Sequence, residues 1–183
     1  DLQETVVREG FHYPERAEIE GYRPKTKGHP MQIRKAAQAI REAKRPVICC
    51  GGGVVLSNAR EEMAAFARKS GMPIVSTMMG IGVMPMHDPL YLGMIGKFGR
   101  SYANRAVGEA DLILLCGARV GDRAIAVPNQ IAEQAKVIHI DIDPAEIGKN
   151  MRVDIPIVGD IKSVLSELAE QAEPADCRDW VDR

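Results

Sequence analysis

Val47-Ile48-Cys49-Cys50-Gly51-Gly52-Gly53 is a short apolar run that stops abruptly on three glycines. Bounded upstream by Arg45-Pro46, it reads as a buried strand entering a tight turn. The pattern recurs at Pro73-Ile74-Val75-Ser76-Thr77, Leu112-Ile113-Leu114-Leu115-Cys116, Val137-Ile138-His139-Ile140 and Ile155-Pro156-Ile157-Val158. None of these runs alternates strictly between apolar and polar residues, so the strands are expected to be covered on both faces. Between the first two lies a helix whose Ala59, Met63, Phe66 and Ala67 share a face. Asn58 and Glu61 suit a capping-box-like start for it, and Gly71 suits its far end. Pro30 opens an earlier helix, where its missing N–H costs nothing. That helix carries Ile33, Ala36, Ala37 and Ile40 at helical spacing and ends by Arg45-Pro46. A last helix carries Ile161, Val164, Leu165 and Leu168. Strands and helices alternating at this spacing predict βαβ units, hence a doubly wound α/β fold with a parallel sheet of five or six strands and helices on both faces.

Composition agrees with one such domain. The 183 residues are 45% hydrophobic but only 4% aromatic, which assigns the core to Val, Ile, Leu, Ala and Met. Charged residues make up 27% and the net charge is -1, a balance that gives no electrostatic attraction to nucleic acid or an anionic membrane. No apolar run approaches the roughly 18 residues of a membrane span, and the charged stretch Asp1–Glu9 carries no signal-peptide core. Residues 1–29, punctuated by Pro14, Pro24 and Gly28, read as a linker or arm, residues 30–172 as the domain, and residues 173–183 as a second linker. Linkers at both ends are what a piece of a longer chain would show. Cys49, Cys50, Cys116 and Cys177 form no Cys-x-x-Cys pair, so neither a metal framework nor a disulfide scaffold is expected. Buried thiols in a reducing cytoplasm are the reading that fits.

Ligands of open parallel sheets bind beyond the carboxyl ends of the strands, and here those ends are rich in glycine and charge. Gly51-Gly52-Gly53 follows the first strand, Thr77-Met78-Met79-Gly80-Ile81-Gly82 the second, and Gly117-Ala118-Arg119-Val120-Gly121-Asp122-Arg123 the third. Asp141-Ile142-Asp143-Pro144 and Gly159-Asp160 end the fourth and fifth. The ordinary dinucleotide fingerprint fails, because Leu56 stands where a third glycine is needed and no acid lies near 71–77. The P-loop fails as well, having no Gly-Lys-Ser/Thr. Arginine forks suit a pyrophosphate, and the six methionines between Met72 and Met94 suit either a flat aromatic ligand or plain loop packing. Asp143 and Asp160 also suit helix caps. Gly93, Gly96 and Gly99 recur at three-residue spacing, a backbone surface on which another group can press closely. Ser57, Ser76 and Thr77 have no evident His and acid partners, and His87 and His139 read as structural, so no catalytic dyad is expected.

Several stretches together resemble the central domain of thiamine-diphosphate carboligases: Thr77-Met78-Met79-Gly80-x-Gly82, Pro85, His87-Asp88-Pro89, Leu92-Gly93-Met94-x-Gly96-x-x-Gly99, Tyr102-Ala103-Asn104, Ala110-Asp111-Leu112 and Gly117-x-Arg119. Asp122-Arg123 and His139-Ile140-Asp141-Ile142-Asp143-x-x-Glu146-Ile147-Gly148-Lys149-Asn150 most resemble acetolactate (acetohydroxyacid) synthase large subunits, over about residues 30–170. The resemblance implies a Rossmann-like domain flanked by N- and C-terminal domains of the same chain, which bind thiamine diphosphate and magnesium. It implies condensation of pyruvate with pyruvate or 2-oxobutyrate, with loss of carbon dioxide, in branched-chain amino-acid biosynthesis. It implies a homodimer or homotetramer, with a regulatory subunit as a further partner. In this domain it implies a structural FAD lined by Gly52, Gly53, Thr77, Met78, Met79, Gly117, Arg119, Asp122, Asp141, Ile142 and Asp160, with Arg123 facing the substrate channel. Two positions depart from the family pattern. Phe98 stands where FAD-binding synthases usually carry histidine, and Gly121 precedes Asp122 where they carry paired acids. Both bear on the flavin. Another thiamine-diphosphate carboligase or decarboxylase, and a free-standing nucleotide-binding module, are the rival readings.

Overall fold

A computed structural model of the chain describes residues 15, 21, 23–125, 131, 133–175 and 177–182. Most of the expected N-terminal arm, and Asp176 and Arg183 of the expected C-terminal linker, lie outside the described residues. The elements are α1 (Pro30–Glu42), β1 (Pro46–Cys50), α2 (Gly52–Leu56), α3 (Arg60–Ser70), β2 (Ile74–Ser76), β3 (Tyr91–Met94), α4 (Ser101–Glu109), β4 (Leu112–Cys116), β5 (Lys136–Asp141), β6 (Ile155–Val158), α5 (Ile161–Gln171) and α6 (Arg178–Val181). The six strands form one all-parallel sheet in the order β3-β2-β1-β4-β5-β6. The sheet grows one way from β1 and then, after α4, the other way from β4. The reversal lies between β1 and β4, whose register runs from Pro46 opposite Leu112 to Cys50 opposite Cys116.

Burial follows from that layering. Every residue of β1 and β4 is buried, because helices cover both faces and neighbouring side chains point to opposite ones. Ile48, Ile74, Leu114 and Ile138 pack with Ile33, Phe66 and Leu165 from α1, α3 and α5. Val47, Cys49, Ile113, Leu115 and Val137 pack on the other face with Ala103, Ala106 and Val107 of α4. His29 caps α1 by accepting the Met31 N–H at 3.2 Å, and Gly71, at φ 72°, closes α3 in the left-handed conformation.

Four details differ from the sequence reading. The sixth strand, β3, is a half-buried edge without β-branched residues, so nothing in its pattern marks it as a strand. The expected capping box is absent: Asn58 sits at φ 50°, and Ala59 precedes α3 without a side-chain cap. A separate short helix, α2, begins on Gly52, and Asn58 makes the left-handed turn between the two, a conformation Asn tolerates. α1 stops at Glu42 rather than running to Arg45. The Asp111 carboxylate accepts the N–H groups of Lys44 and Arg45, each at 2.9 Å, and draws the chain into β1. The C-terminal segment folds back onto the domain, with the Ala175 N–H donating to Ser70 O at 2.9 Å and Trp180 Nε1 to Pro46 O at 3.3 Å.

Phe66 is fully buried between α3 and the sheet. Phe66→Ala should lower the unfolding free energy by about 3–5 kcal/mol in a urea melt. A loss below about 1 kcal/mol would place the ring outside the packed core.

Candidate functional site

The carboxyl ends of β1, β2 and β4 meet through backbone. Gly51 N–H donates to Cys116 O at 2.9 Å, Gly53 N–H to Gly117 O at 3.0 Å, and Thr77 N–H to Cys50 O at 2.9 Å. A Cβ on Gly51 would lie 2.1 Å from Gly117 O, one on Gly53 2.7 Å from Gly117 Cα, and one on Gly80 2.2 Å from Cys50 O. Only glycine admits such approaches, which are backbone-to-backbone. Gly52 differs: a Cβ there would meet the Met79 side chain at 3.1 Å, and at Gly121 it would meet nothing. Gly51, Gly53, Gly80 and Gly117 thus knit the loops together, while Gly52 and Gly121 leave room beside them.

That room is a cleft of about 700 Å³ at the reversal point. Gly52, Gly53, Thr77, Met78, Met79, Gly117, Arg119, Asp122 and Arg123 all line it. Asp141, Ile142 and Asp160 do not. Asp141 accepts the Asp143 N–H at 3.0 Å, and Asp160 caps α5 by accepting the Ser163 N–H at 3.2 Å. Ile142 lies half-exposed beyond β5. The cleft also takes in Leu56, Met94, Phe98, Glu146, Lys149 and Asn150, which the reading of strand ends did not gather. The signal for Met94 and Phe98 was the spacing of Gly93, Gly96 and Gly99. Lys149 and Asn150 come from a loop distant in sequence. Asn150 Nδ2 donates to Val120 O at 2.8 Å and so fastens the Gly117–Arg123 loop, while Lys149 pairs with Glu146 at 2.9 Å. A second hollow of about 1050 Å³ shares Ile95, Phe98, Asp122 and Arg123 with the first.

The lining has two characters. Arg119, Arg123 and Lys149 bring cations, and guanidinium forks match phosphate oxygens. Met78, Met79 and Phe98 bring large exposed apolar surface, an arrangement suited to a flat ring. An elongated ligand with an anionic waist and an aromatic end matches both. The thiols contribute no nucleophile: burial pushes Cys49 up to about 12 and raises Cys50 and Cys116 as well. Among the described residues no group of three His, Cys, Asp or Glu side chains is arranged to hold a metal ion, and no helix is long and apolar enough to cross a membrane.

His139, 1% exposed on β5, keeps Nε2 without a hydrogen-bond partner, 3.9 Å from Asp141 Oδ2. Burial lowers its pKa below the ordinary 6.5, against the opposing pull of Asp141. The unfolded chain therefore binds the proton more readily, and stability is lost as pH falls through 6.5. Unfolding free energy should drop between pH 7 and 5, and His139→Gln should flatten that slope in pH-dependent melts. A slope unchanged in the variant would assign it to other groups. A second pair of variants tests the loop junction. Gly51→Ala should prevent folding or cost more than about 3 kcal/mol. Gly108→Ala, in the last turn of α4 with open space at its Cβ, should stabilise by up to about 0.5 kcal/mol in the same melts.

Comparison with known proteins agrees with this architecture. The profile of the thiamine pyrophosphate enzyme central domain matches residues 33–168. The chain is 47% identical over 187 residues to the "Probable acetolactate synthase large subunit" of Methanocaldococcus jannaschii, covering 100% of this chain and 32% of that protein. It is 43% identical to the acetolactate synthase large subunit of Corynebacterium glutamicum, over 94% of this chain and 28% of the relative. The figure is 44% for that of Haemophilus influenzae, over 92% and 30%. The chain thus spans about a third of the length of the curated relatives it matches. A profile match over most of the chain and an all-parallel sheet reversing between β1 and β4 lead to one conclusion: the chain belongs to the family of thiamine pyrophosphate enzyme central domains.

Proposed function

We propose that this domain is the middle third of an acetolactate synthase large subunit and that its cleft holds FAD as a structural group. The observation that carries the proposal is the joint lining of one cleft by Arg119 and Arg123 on one hand and by Met78, Met79 and Phe98 on the other. The volume suits such a ligand, since cofactor pockets run to roughly 300–1,000 Å³. Gly52 and Gly121 supply uncrowded backbone beside it. Arg119 would hold the diphosphate, Thr77, Asp122 and the Gly52–Gly53 backbone would accept or donate along the linker, and Met78 and Met79 would face the ring. Arg123 would border the route to the reacting centre. Asp141, Ile142 and Asp160 would complete the site at its far end, beyond the described cleft. A flavin bound here would supply no redox step; the loops carrying Gly52, Thr77 and Arg119 would hold it and be fixed by it.

In this reading the condensation of pyruvate with pyruvate or 2-oxobutyrate belongs to flanking thiamine-diphosphate and magnesium domains of the same polypeptide. Catalysis there needs this domain as scaffold and channel wall, in a homodimer or homotetramer of a cytoplasmic enzyme, with a regulatory subunit as an additional partner. In this reading the chain binds, positions and excludes water.

Acetolactate formation from pyruvate by the full-length protein tests the reading, with thiamine diphosphate and magnesium supplied, before and after the flavin is stripped. Loss on stripping and recovery on adding FAD are expected. Activity indifferent to FAD would leave a flavin-free scaffold, and no acetolactate under either condition would move the chain to another carboligase or decarboxylase. The purified 183-residue domain alone should form none.

A further inference from the structure

The turn after β3 is fastened more firmly than an exposed connection requires. Gly96 N–H donates to Asn104 Oδ1 at 2.8 Å, and Asn104 Nδ2 donates back to Gly96 O at 3.0 Å, so one side-chain amide satisfies both backbone groups of one residue. Lys97 N–H donates to Arg123 O at 3.1 Å, Gly99 N–H to Gly96 O at 2.9 Å, and Arg100 N–H to Met94 O at 2.8 Å. A Cβ on Gly96 would lie 2.3 Å from Arg123 O, and one on Gly99 2.4 Å from Met94 O. The turn is therefore bound to α4 on one side and to the loop carrying Arg123 on the other.

What it presents is Phe98. The side chain is 78% exposed and forms part of the wall of both hollows. The Lys97 ammonium lies over the ring, 5.8 Å from its centroid. An aromatic ring with so little protein against it, on a turn with so little freedom, is preorganised to receive a second flat surface, and offset stacking is the favoured arrangement of two such rings.

We propose that Phe98 is the stacking surface for the planar ring of the ligand bound in the cleft, and that Asn104 is the positioning residue that holds it there through Gly96. This rests on the flavin reading: it gives Phe98, already part of the cleft wall, a defined contact, and it adds Asn104, which lies outside that cleft's lining. It also gives Phe98 a role in place of the polar contact that a histidine would make. Stacking needs the ring's face and its placement, and both are set by the turn.

The test is FAD titration of the stripped full-length protein, followed by the visible absorption and fluorescence of the flavin. Phe98→Leu keeps an apolar side chain at an exposed position, so the fold is retained, and it should weaken FAD binding about tenfold. Phe98→Trp should hold FAD as well as the parent and quench its fluorescence strongly, because an electron-rich indole would lie against the ring. Asn104→Ala, with folding checked by circular dichroism, should weaken binding in the same sense, and the double variant should lose no more than Phe98→Leu alone. Unchanged affinity in Phe98→Leu, or no added quenching in Phe98→Trp, would overturn the stacking role while leaving the flavin reading standing. Additive losses in the double variant would overturn the positioning role of Asn104. A parent protein that takes up no FAD would overturn both this proposal and the reading beneath it.

Discussion

The contact between Gly53 and Gly117 is the constraint on which the rest depends. Two loops leaving adjacent parallel strands in opposite directions ordinarily part at once, and a crevice opens between them. Here they are first tied at the root. Gly53 N–H bonds Gly117 O at 3.0 Å, and the backbones lie so close that a Cβ on either residue would overlap the other. Gly51 against Gly117 strengthens the same junction, and Gly80 against Cys50 repeats the device on the loop after β2. The cleft consequently has a floor of backbone, and its side-chain wall begins beyond it, at Met78 and Arg119. Glycine serves here to bring protein against protein. Room for a ligand is a result of where those glycines stop.

Much of this was legible in the sequence. Four buried runs, and the helix faces of α1, α3 and α5, follow from apolar periodicity, because each depends on local pattern and on covering both faces of a sheet; the fifth run forms β6, an edge strand buried only at alternate residues. β3 was not legible: as an edge strand it needs neither β-branched residues nor full burial, and Gly93 breaks its pattern. The false capping box at Asn58 failed for a related reason. Pattern can propose a cap, but the actual entry into α3 is fixed by α2 and a left-handed residue, which depend on where Gly51 and Gly53 must sit. At the cleft, residues that follow β1, β2 and β4 converge, since strand order alone places those ends together. Glu146, Lys149 and Asn150 arrive by tertiary packing, through the Asn150 bond to Val120 O, and strand ends do not reveal that. Asp141 and Asp160 hold a turn and a helix start by their carboxylates, and a carboxylate at a strand end is as well suited to that as to meeting a ligand.

The division of labour in the domain follows from burial. The sheet interior contributes inert thiols, aliphatic side chains and the buried His139, so the cleft's cations and its exposed Met78, Met79 and Phe98 stand on the loops. Those loops draw their rigidity from backbone junctions and from two asparagines, Asn104 and Asn150, each of which fastens a loop by its side-chain amide. Such a domain is suited to holding a large ligand still and to offering a fixed wall to its neighbours.

The central claim is that an FAD lies along the loops that follow β1, β2 and β4. Hydrogen–deuterium exchange of the full-length protein, with and without FAD, tests it most directly. The account predicts slowed exchange at the amides of residues 51–53, 77–79 and 117–123, with the core of β1 and β4 unaffected. No slowing on these loops, or slowing confined to residues elsewhere in the polypeptide, would contradict it.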